Sequence, residues 1–295
     1  MVSIMLNSDS YSSGGPSSGG PGNKSGSGNA GNKSSSGGLS NTNATVNAGN
    51  ANNSEDVNSA DWRKWVRSPI LPRGKQKASV VRNMFDTIAP RYDLVNKLMT
   101  FGLDSYWRHR AIKALALPSG SLVLDLATGT GDLVRELRRQ SIRVVGLDLS
   151  LGMLMASKVE GSLVQADGSN SPFPNHAFDG VISAFAIRNF SDLPAILREL
   201  SRIIRPGGRL SLLDISEPSG LLGMAARMWF EQGAPLIGSL LSDKDAYSYL
   251  PRSVQYLPSP VEMKRMMGEA GFSCNNHHVM TAGITQLYTG TKSSE

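Results

Sequence analysis

Residues 123–132 read VLDLATGTGD, and the chain then reaches a second acid, Asp148, through VVGLD. This stretch constrains the fold more than any other. A short apolar run bounded by turn residues reads as a buried strand. The glycine turn after it leads into a helix-forming stretch, so backbone N–H groups and a helix start face whatever lies beyond the strand. A second strand ending in an acid completes a frame suited to a nucleotide-bearing cofactor.

The rest of the chain repeats the pattern. Strand-like runs fall at 121–127, 142–148, 162–166, 178–184 and 208–215, with helical periods at 132–140, 150–158 and 192–205 between them. The last helix is expected to stop at Arg205-Pro206-Gly207-Gly208. Strands alternating with helices predict an α/β fold with a mostly parallel sheet covered on both faces. Three short amphipathic helices precede it, at 78–88, 90–99 and 104–116; Val80, Val81, Met84, Phe85 and Ile88 share one face by their spacing. A helix over 259–270 and two closing strands, 272–280 and 285–291, follow an apolar stretch at 220–241. The expected organisation is a low-complexity tail over 1–60, a basic linker over 61–77 and one domain over 78–295.

Gly129 and Gly131 let a ligand approach the backbone after the first strand, and Asp148 is placed to accept from the hydroxyls of a ribose. A dinucleotide reductase would use the same geometry, so Gly-x-Gly alone does not choose between cofactors. Three details favour S-adenosylmethionine. Val134 stands where the dinucleotide fingerprint has its third glycine. Asp125 precedes the loop, where it can engage the amino group of a methionine moiety. Ala166-Asp167-Gly168 follows the third strand, where an acid can accept from an adenine amine. Acids around the loop suit a sulfonium and an ammonium and would repel a pyrophosphate. Each acid alone has an ordinary reading as a cap or surface turn; three at successive strand ends favour the cofactor.

Composition narrows the rest. Residues 1–61 hold Lys24 and Lys33 against Asp9, Glu55, Asp56 and Asp61, a net −2, so the +6 of the whole chain leaves +8 beyond them. The Gly/Ser/Asn-rich tail has no Phe or Trp before Trp62 and cannot offset its ordering entropy, which predicts disorder. It has neither a secretory core nor the arginines of a mitochondrial presequence. The basic run 62–82, with Trp62 and Trp65, suits either a solvated surface or contact with anionic lipid; nothing favours nucleic acid. One cysteine, Cys274, and four scattered histidines predict neither a disulfide nor a metal site. No run of 18 apolar residues is present.

The sequence resembles the UbiE/MenG C-methyltransferases over residues 75–292. The resemblance rests on Phe85-Asp86-Thr87-Ile88-Ala89 with Arg91-Tyr92-Asp93-Leu94-Val95-Asn96, on Phe101-Gly102 with Trp107-Arg108, and on Phe185-Ala186-Ile187-Arg188-Asn189. It extends through Arg205-Pro206-Gly207-Gly208 with Leu213-Asp214, Ala246 to Val254, and Thr281-Ala282-Gly283-Ile284. It implies a class I, Rossmann-like methyltransferase fold with seven strands and cofactor contacts at Thr130, Asp148, Asp167 and Gly168. Ala184 takes the place where several relatives carry a cofactor-binding serine, Ala186 replaces a glycine, and Asp214 replaces a glutamate.

The resemblance implies methylation of a ring carbon of a prenylated quinol. Such a reaction needs alignment, exclusion of water and a means of ionising the ring hydroxyl. Arg188, as a permanent cation, is the candidate to stabilise that oxyanion, with a salt bridge, for example to Asp192, as its alternative role. Asn189 is the candidate hydrogen-bond partner of a quinol oxygen, and Tyr92 and Tyr247, with Asp93 and Tyr249, belong to lids. The apolar stretch 220–241 reads either as a wall for the prenyl chain or as a core helix pair. Demethylmenaquinol is the first expectation, because the short chain without a presequence suggests a bacterial protein. The benzoquinol intermediate of ubiquinone synthesis is the alternative, and a cofactor-binding scaffold without turnover the non-enzymatic one. The expected setting is cytoplasmic or at the inner face of a plasma membrane, and a homodimer is compatible with the sequence.

Overall fold

In the computed structural model, residues 62–68, 70, 72–216 and 228–294 are described; they belong to one folded unit. The expected low-complexity tail and residues 220–227 of the apolar stretch lie outside them.

Seven strands form one sheet. They are β1 (Leu122–Leu126), β2 (Arg143–Asp148), β3 (Leu163–Gln165), β4 (Phe178–Ala184), β5 (Ile204–Ile215), β6 (Phe272–Met280) and β7 (Thr285–Lys292). Their order is β3-β2-β1-β4-β5-β7-β6. The first five run parallel, and the last two form an antiparallel hairpin whose β7 pairs with β5. The mostly parallel seven-stranded α/β sheet is the one expected. From β1 the chain first winds outward to β2 and β3, then crosses to β4 on the other side. The resulting crevice lies beyond the carboxyl ends of β1 and β4, the usual ligand position in such sheets.

Strands buried on both faces carry continuous apolar runs; Val123, Leu124, Val181, Ile182, Leu212 and Leu213 are all fully buried. Helices α5 (Asp132–Arg139), α6 (Leu151–Ala156), α7 (Leu193–Ile203) and α10 (Pro260–Glu269) pack alongside. Helix α7 ends at Ile203, two residues before the expected stop, because Ile204 already pairs with Phe178 and the Arg205–Gly208 turn sits within β5 as an irregularity.

Among the described residues, four α-helices precede the sheet: α1 (Trp62–Arg67), α2 (Gly74–Ile88), α3 (Tyr92–Thr100) and α4 (Leu103–Leu115). Together with α8 (Ala234–Leu241), α9 (Lys244–Ser253) and Met153 of α6, the first three enclose a core of their own, built from Trp62, Val66, Val80, Met84, Val95, Met99, Tyr247 and Tyr249. Residues 62–67 of the expected basic linker thus form a helix packed through Trp62 and Val66, while Lys64, Arg67, Arg73 and Lys75 remain exposed. Trp62 is 0% exposed. Arg63 and Arg67 pair with Asp243 and Asp245 at 2.7 and 2.6 Å. Helix α2 begins at Gly74, four residues earlier than its apolar spacing suggested. Residues 234–241 are a helix of this cap, as the core-helix reading of that stretch expected.

Trp62→Ala removes the largest side chain of the cap and is expected to cost about 3 kcal/mol or more of unfolding free energy in urea. Arg67→Ala, at a solvent-screened ion pair, is expected to leave the midpoint nearly unchanged.

Candidate functional site

The strand-end acids converge as the sequence suggested. Asp148 closes β2, and its two carboxylate oxygens accept from the backbone N–H groups of Gly129 and Ser150, each at 2.8 Å. A carboxylate oxygen has two lone pairs, so both can accept again from a ligand. Burial pushes the Asp148 carboxyl up to about 6; the backbone N–H groups of Ser150, Gly129 and Leu149 hold it down, and Asp86 adds to the rise. Asp125, on β1, is fully buried and accepts from the Thr128 hydroxyl at 2.6 Å. Its second oxygen has no partner within the protein. Burial pushes it up to about 7, against the pull of Thr128 and with a push from Asp148. Asp125 does not line the cleft, so it sits behind the loop rather than in its wall. Thr128 reaches it because residue 146 is glycine; a Cβ there would stand 2.8 Å from the Thr128 hydroxyl.

Asp167, after β3, is exposed and accepts from the backbone and hydroxyl of Ser169, both at 2.8 Å. Gly168 beside it leaves room for Leu126, whose Cδ1 would lie 2.8 Å from a Cβ. Gly129, Asp148, Asp167, Gly168 and Ala184 all line one cleft, with ≈ 800 Å³ of empty space including its open mouth. Ser183 turns the other way, donating to the Leu126 carbonyl at 2.7 Å within the sheet. The backbone enters the left-handed region at Ala127 (φ 57°) and Phe185 (φ 62°), directly after β1 and β4. Each such residue costs roughly 1 kcal/mol, and both border the cleft.

Thr130 is spoken for: its hydroxyl donates to Asp93 of α3 at 2.5 Å. Gly131, with φ at 83°, starts α5, and a Cβ there would meet Val159 at 2.6 Å. These two residues therefore shape the loop and anchor the helical cap. Asp86 does the same from α2, accepting from the Ser150 hydroxyl at 2.6 Å and the Gly152 N–H at 2.8 Å.

The other wall is apolar and aromatic: Ala78, Val81, Phe85, Tyr92, Phe185 and Phe190. Tyr92 stands there as expected, edge-on to Phe85 with centroids 5.9 Å apart. Burial raises the Tyr92 hydroxyl above its ordinary value. Asn189 lines the same wall, and its buried Oδ1 has no hydrogen-bond partner. Its Nδ2 lies 3.5 Å from the Phe185 carbonyl.

Two catalytic candidates are placed differently. Arg188 is buried and forms an ion pair with Asp214 of β5, not Asp192. It also donates to the Phe185 carbonyl at 2.9 Å and the Ser253 hydroxyl at 3.2 Å. Asp192 caps α7 instead, accepting from Ala195 at 2.9 Å. Arg188 stands behind the wall, its charge largely matched. Tyr247 packs in the cap core with a buried, unpartnered hydroxyl and does not reach the cleft, as does Tyr249. Burial raises both hydroxyls.

Sequence reasoning missed Lys77, which is 4% exposed beneath the wall. Its signal was present: Lys77 falls three and four residues before Val80 and Val81, on the apolar stripe of α2.

Gly131→Ala is expected to lower the unfolding midpoint more than Gly129→Ala, since both strain the backbone but only the first overlaps a packed side chain. Gly129→Ala, with open space around its Cβ, is expected to act mainly on ligand binding, weakening it at least tenfold by calorimetry.

Comparison with known proteins agrees with this geometry. A solved S-adenosylmethionine-dependent methyltransferase from Thermotoga maritima superposes with a TM-score of 0.53 at 19% identity, covering 72% of this chain and all of that one. A phosphoethanolamine N-methyltransferase from Haemonchus contortus gives 0.51 at 14% identity over 79% of this chain and 60% of its own. A Geobacter sulfurreducens protein named ubiquinone/menaquinone biosynthesis C-methyltransferase UbiE is 42% identical over 77% of this chain and 93% of its own length. A Thermus thermophilus demethylmenaquinone methyltransferase is 40% identical over 71% of this chain and the whole of its own. The family model described as ubiE/COQ5 methyltransferase matches residues 73–292, from the start of α2 to the last strand. By that span, and by the cleft it contains, the chain belongs to the ubiE/COQ5 methyltransferase family.

Proposed function

We propose that this methyltransferase acts on demethylmenaquinol, adding a methyl group to a ring carbon to give menaquinol. Carbon methylation of a quinone precursor with S-adenosylmethionine is the activity of the family to which it belongs. The narrower choice is supported by the Thermus thermophilus relative, which is named for demethylmenaquinone alone; the Geobacter sulfurreducens relative is named for both quinones. The observation that carries it is the cleft itself. Acids stand at one end, and Phe85, Tyr92, Phe185 and Phe190 form an aromatic wall that suits a flat bicyclic ring.

The residues present fit the cofactor. Asp148 has acceptor capacity left for ribose hydroxyls, Asp125 keeps an unpartnered oxygen behind the loop, and Asp167 lies at the cleft rim. When bound, the cofactor supplies an electrophilic methyl group: a ring carbon forms the new C–C bond as the C–S bond breaks, sulfur keeps the electron pair, and the ring loses a proton. The protein's own part is to position and to shield. The apolar wall excludes water, which strengthens every charge interaction within. Asn189, with its free Oδ1, accepts from a ring hydroxyl and so fixes which carbon faces the donor.

A prenylated acceptor also calls for a lipid-facing entry. Trp62 of the basic segment is buried in the cap, while most of its cations are exposed. The outer face of α3 presents Leu94, Leu98 and Phe101, the last 71% exposed, with Tyr106 beside them on α4. Exposed Lys97, Arg110 and Lys113 accompany these apolar side chains. Apolar and aromatic residues flanked by cations suit an anionic bilayer surface. No helix among the described residues is long and apolar enough to cross a membrane.

Purified protein with methyl-labelled cofactor is expected to label reduced demethylmenaquinone; label only in the demethylated benzoquinol would overturn the choice. Asn189→Ala is expected to lower kcat at least tenfold with little effect on cofactor affinity. Both strand-end acids have pKa values raised on folding, so they hold protons the unfolded chain has released. Their contribution to stability is therefore present at low pH and lost as pH rises through about 6 to 7. A cationic ligand needs them ionised. Cofactor affinity is accordingly expected to rise between pH 5 and 7 and level off above, by calorimetry. The protein is expected to sediment with phosphatidylglycerol vesicles at low salt, and Phe101→Asp to abolish this; dimerisation through that face instead would count against the bilayer.

A further inference from the structure

The basic stretch before β1 is mostly solvated, yet one of its cations is inside the protein. The Lys77 ammonium donates to the Phe190 carbonyl at 2.7 Å and stands 3.6 Å from the centre of the Tyr256 ring. An ammonium has three donors, and this carbonyl is the one hydrogen-bond acceptor the structure gives it among the described residues. Burying an ammonium is costly unless an opposite charge meets it.

The groups around it do not supply one. Arg188 faces it from the Ile187–Asn189 turn and Asp214 from β5. The Asp214 carboxylate is already engaged by the guanidinium and backbone N–H of Arg188. From α9 and the Val254–Tyr256 turn come Tyr249 and Tyr256, whose hydroxyls stay neutral because burial raises both. Arg252 and Arg73 add further positive charge near Tyr256. Two buried cations thus share one carboxylate, and burial together with Arg188 pushes Lys77 down to about 7.

This excess charge lies directly behind the cleft. Phe190, which Lys77 holds, and the neighbouring Asn189 both line the same cleft as Asp148 and Asp167. The cleft is bipolar: its acidic end suits a cationic donor, and its far wall is backed by an unmatched cation. We propose that Lys77 is a field-setting, positioning residue for methyl transfer, stabilising the negative charge that forms on the acceptor's ring hydroxyl when it ionises. In that step the O–H bond breaks, the proton passes to solvent water at the cleft mouth, and the electron pair stays on oxygen and enriches the ring carbon. Lys77 keeps its own proton and does not touch the substrate. The proposal rests on the quinol reading above.

The test is the pH profile of kcat/KM for reduced demethylmenaquinone, in the full chain with saturating cofactor, for wild type, Lys77→Met and Lys77→Arg. Wild type is expected to lose about tenfold per pH unit once Lys77 deprotonates. Lys77→Met is expected to start at least tenfold lower at pH 6.5, to lack that alkaline fall and to meet the wild-type curve at high pH. Lys77→Arg keeps its charge and is expected to hold the rate without the fall. Calorimetric cofactor affinity should be unchanged in Lys77→Met. A Lys77→Met profile parallel to wild type would mean a packing role only and overturn the proposal, even if Lys77→Arg does not fold. A wild type that methylates no quinol would overturn the acceptor reading and this proposal together; an active wild type with a parallel variant overturns this one alone.

Discussion

One carboxylate holds the cleft in register. Asp148 bridges the glycine loop and the turn into α6 by accepting one backbone N–H from each. Those two segments leave the adjacent strands β1 and β2. The same turn then receives Asp86 from the cap, through Ser150 and Gly152. Gly152 is required there, since a Cβ would lie 2.8 Å from the Asp86 backbone. A second tie runs from Thr130 to Asp93. The helices over the cleft are thus positioned by the same atoms that shape the cofactor loop, and a change at either is felt at both.

Such an arrangement has an electrostatic consequence. Acids that serve as structural acceptors are buried, and burial opposes their ionisation. Part of that cost is recovered from backbone N–H groups, and the remainder awaits a cationic ligand. Across the cleft the imbalance has the opposite sign. The ion network Asp104–Arg108–Asp132–Arg135 joins α4 to the start of α5 and is matched internally. The cluster of Lys77, Arg188 and Asp214 is not. A fold that leaves opposite charges unmatched on opposite walls is prepared for a reaction in which a cation and an anion approach each other and both disappear.

Much of this was legible in the sequence because it follows from local periods. Apolar runs and turn residues located β4, β6 and α5 closely, and acids at strand ends needed only the sheet topology to converge. What escaped depends on partners distant in the chain. Arg188 was expected to stabilise an oxyanion, with Asp192, four residues away, as an example partner for the alternative salt bridge, whereas its partner Asp214 comes from the neighbouring strand. Tyr247 carries a polar group that suggested a lid, but its ring fills the cap core. Trp62 among basic residues resembled a membrane anchor; its burial depends on α9, some 180 residues later. Lys77 showed the stripe of an inward position, yet a charged side chain on such a stripe is ordinarily read as the boundary of the helix rather than part of its buried face.

The ties between α1 and α9 also bear on how the chain comes together. Arg63 and Arg67 meet acids about 180 positions further on, and the Tyr256 hydroxyl reaches back to the Pro72 carbonyl at 2.6 Å. Closing loops of that length precedes any reward from the contacts they bring. On a ribosome, the first helices emerge with their apolar faces uncovered and gain their partners only after nearly the whole domain has been synthesised. The five parallel strands β1 to β5 precede α9 in the chain and can pair before then, whereas the cleft, which needs the cap as well, is among the last features to form, and the nascent cap helices are the surfaces a chaperone would have to shield in the interval.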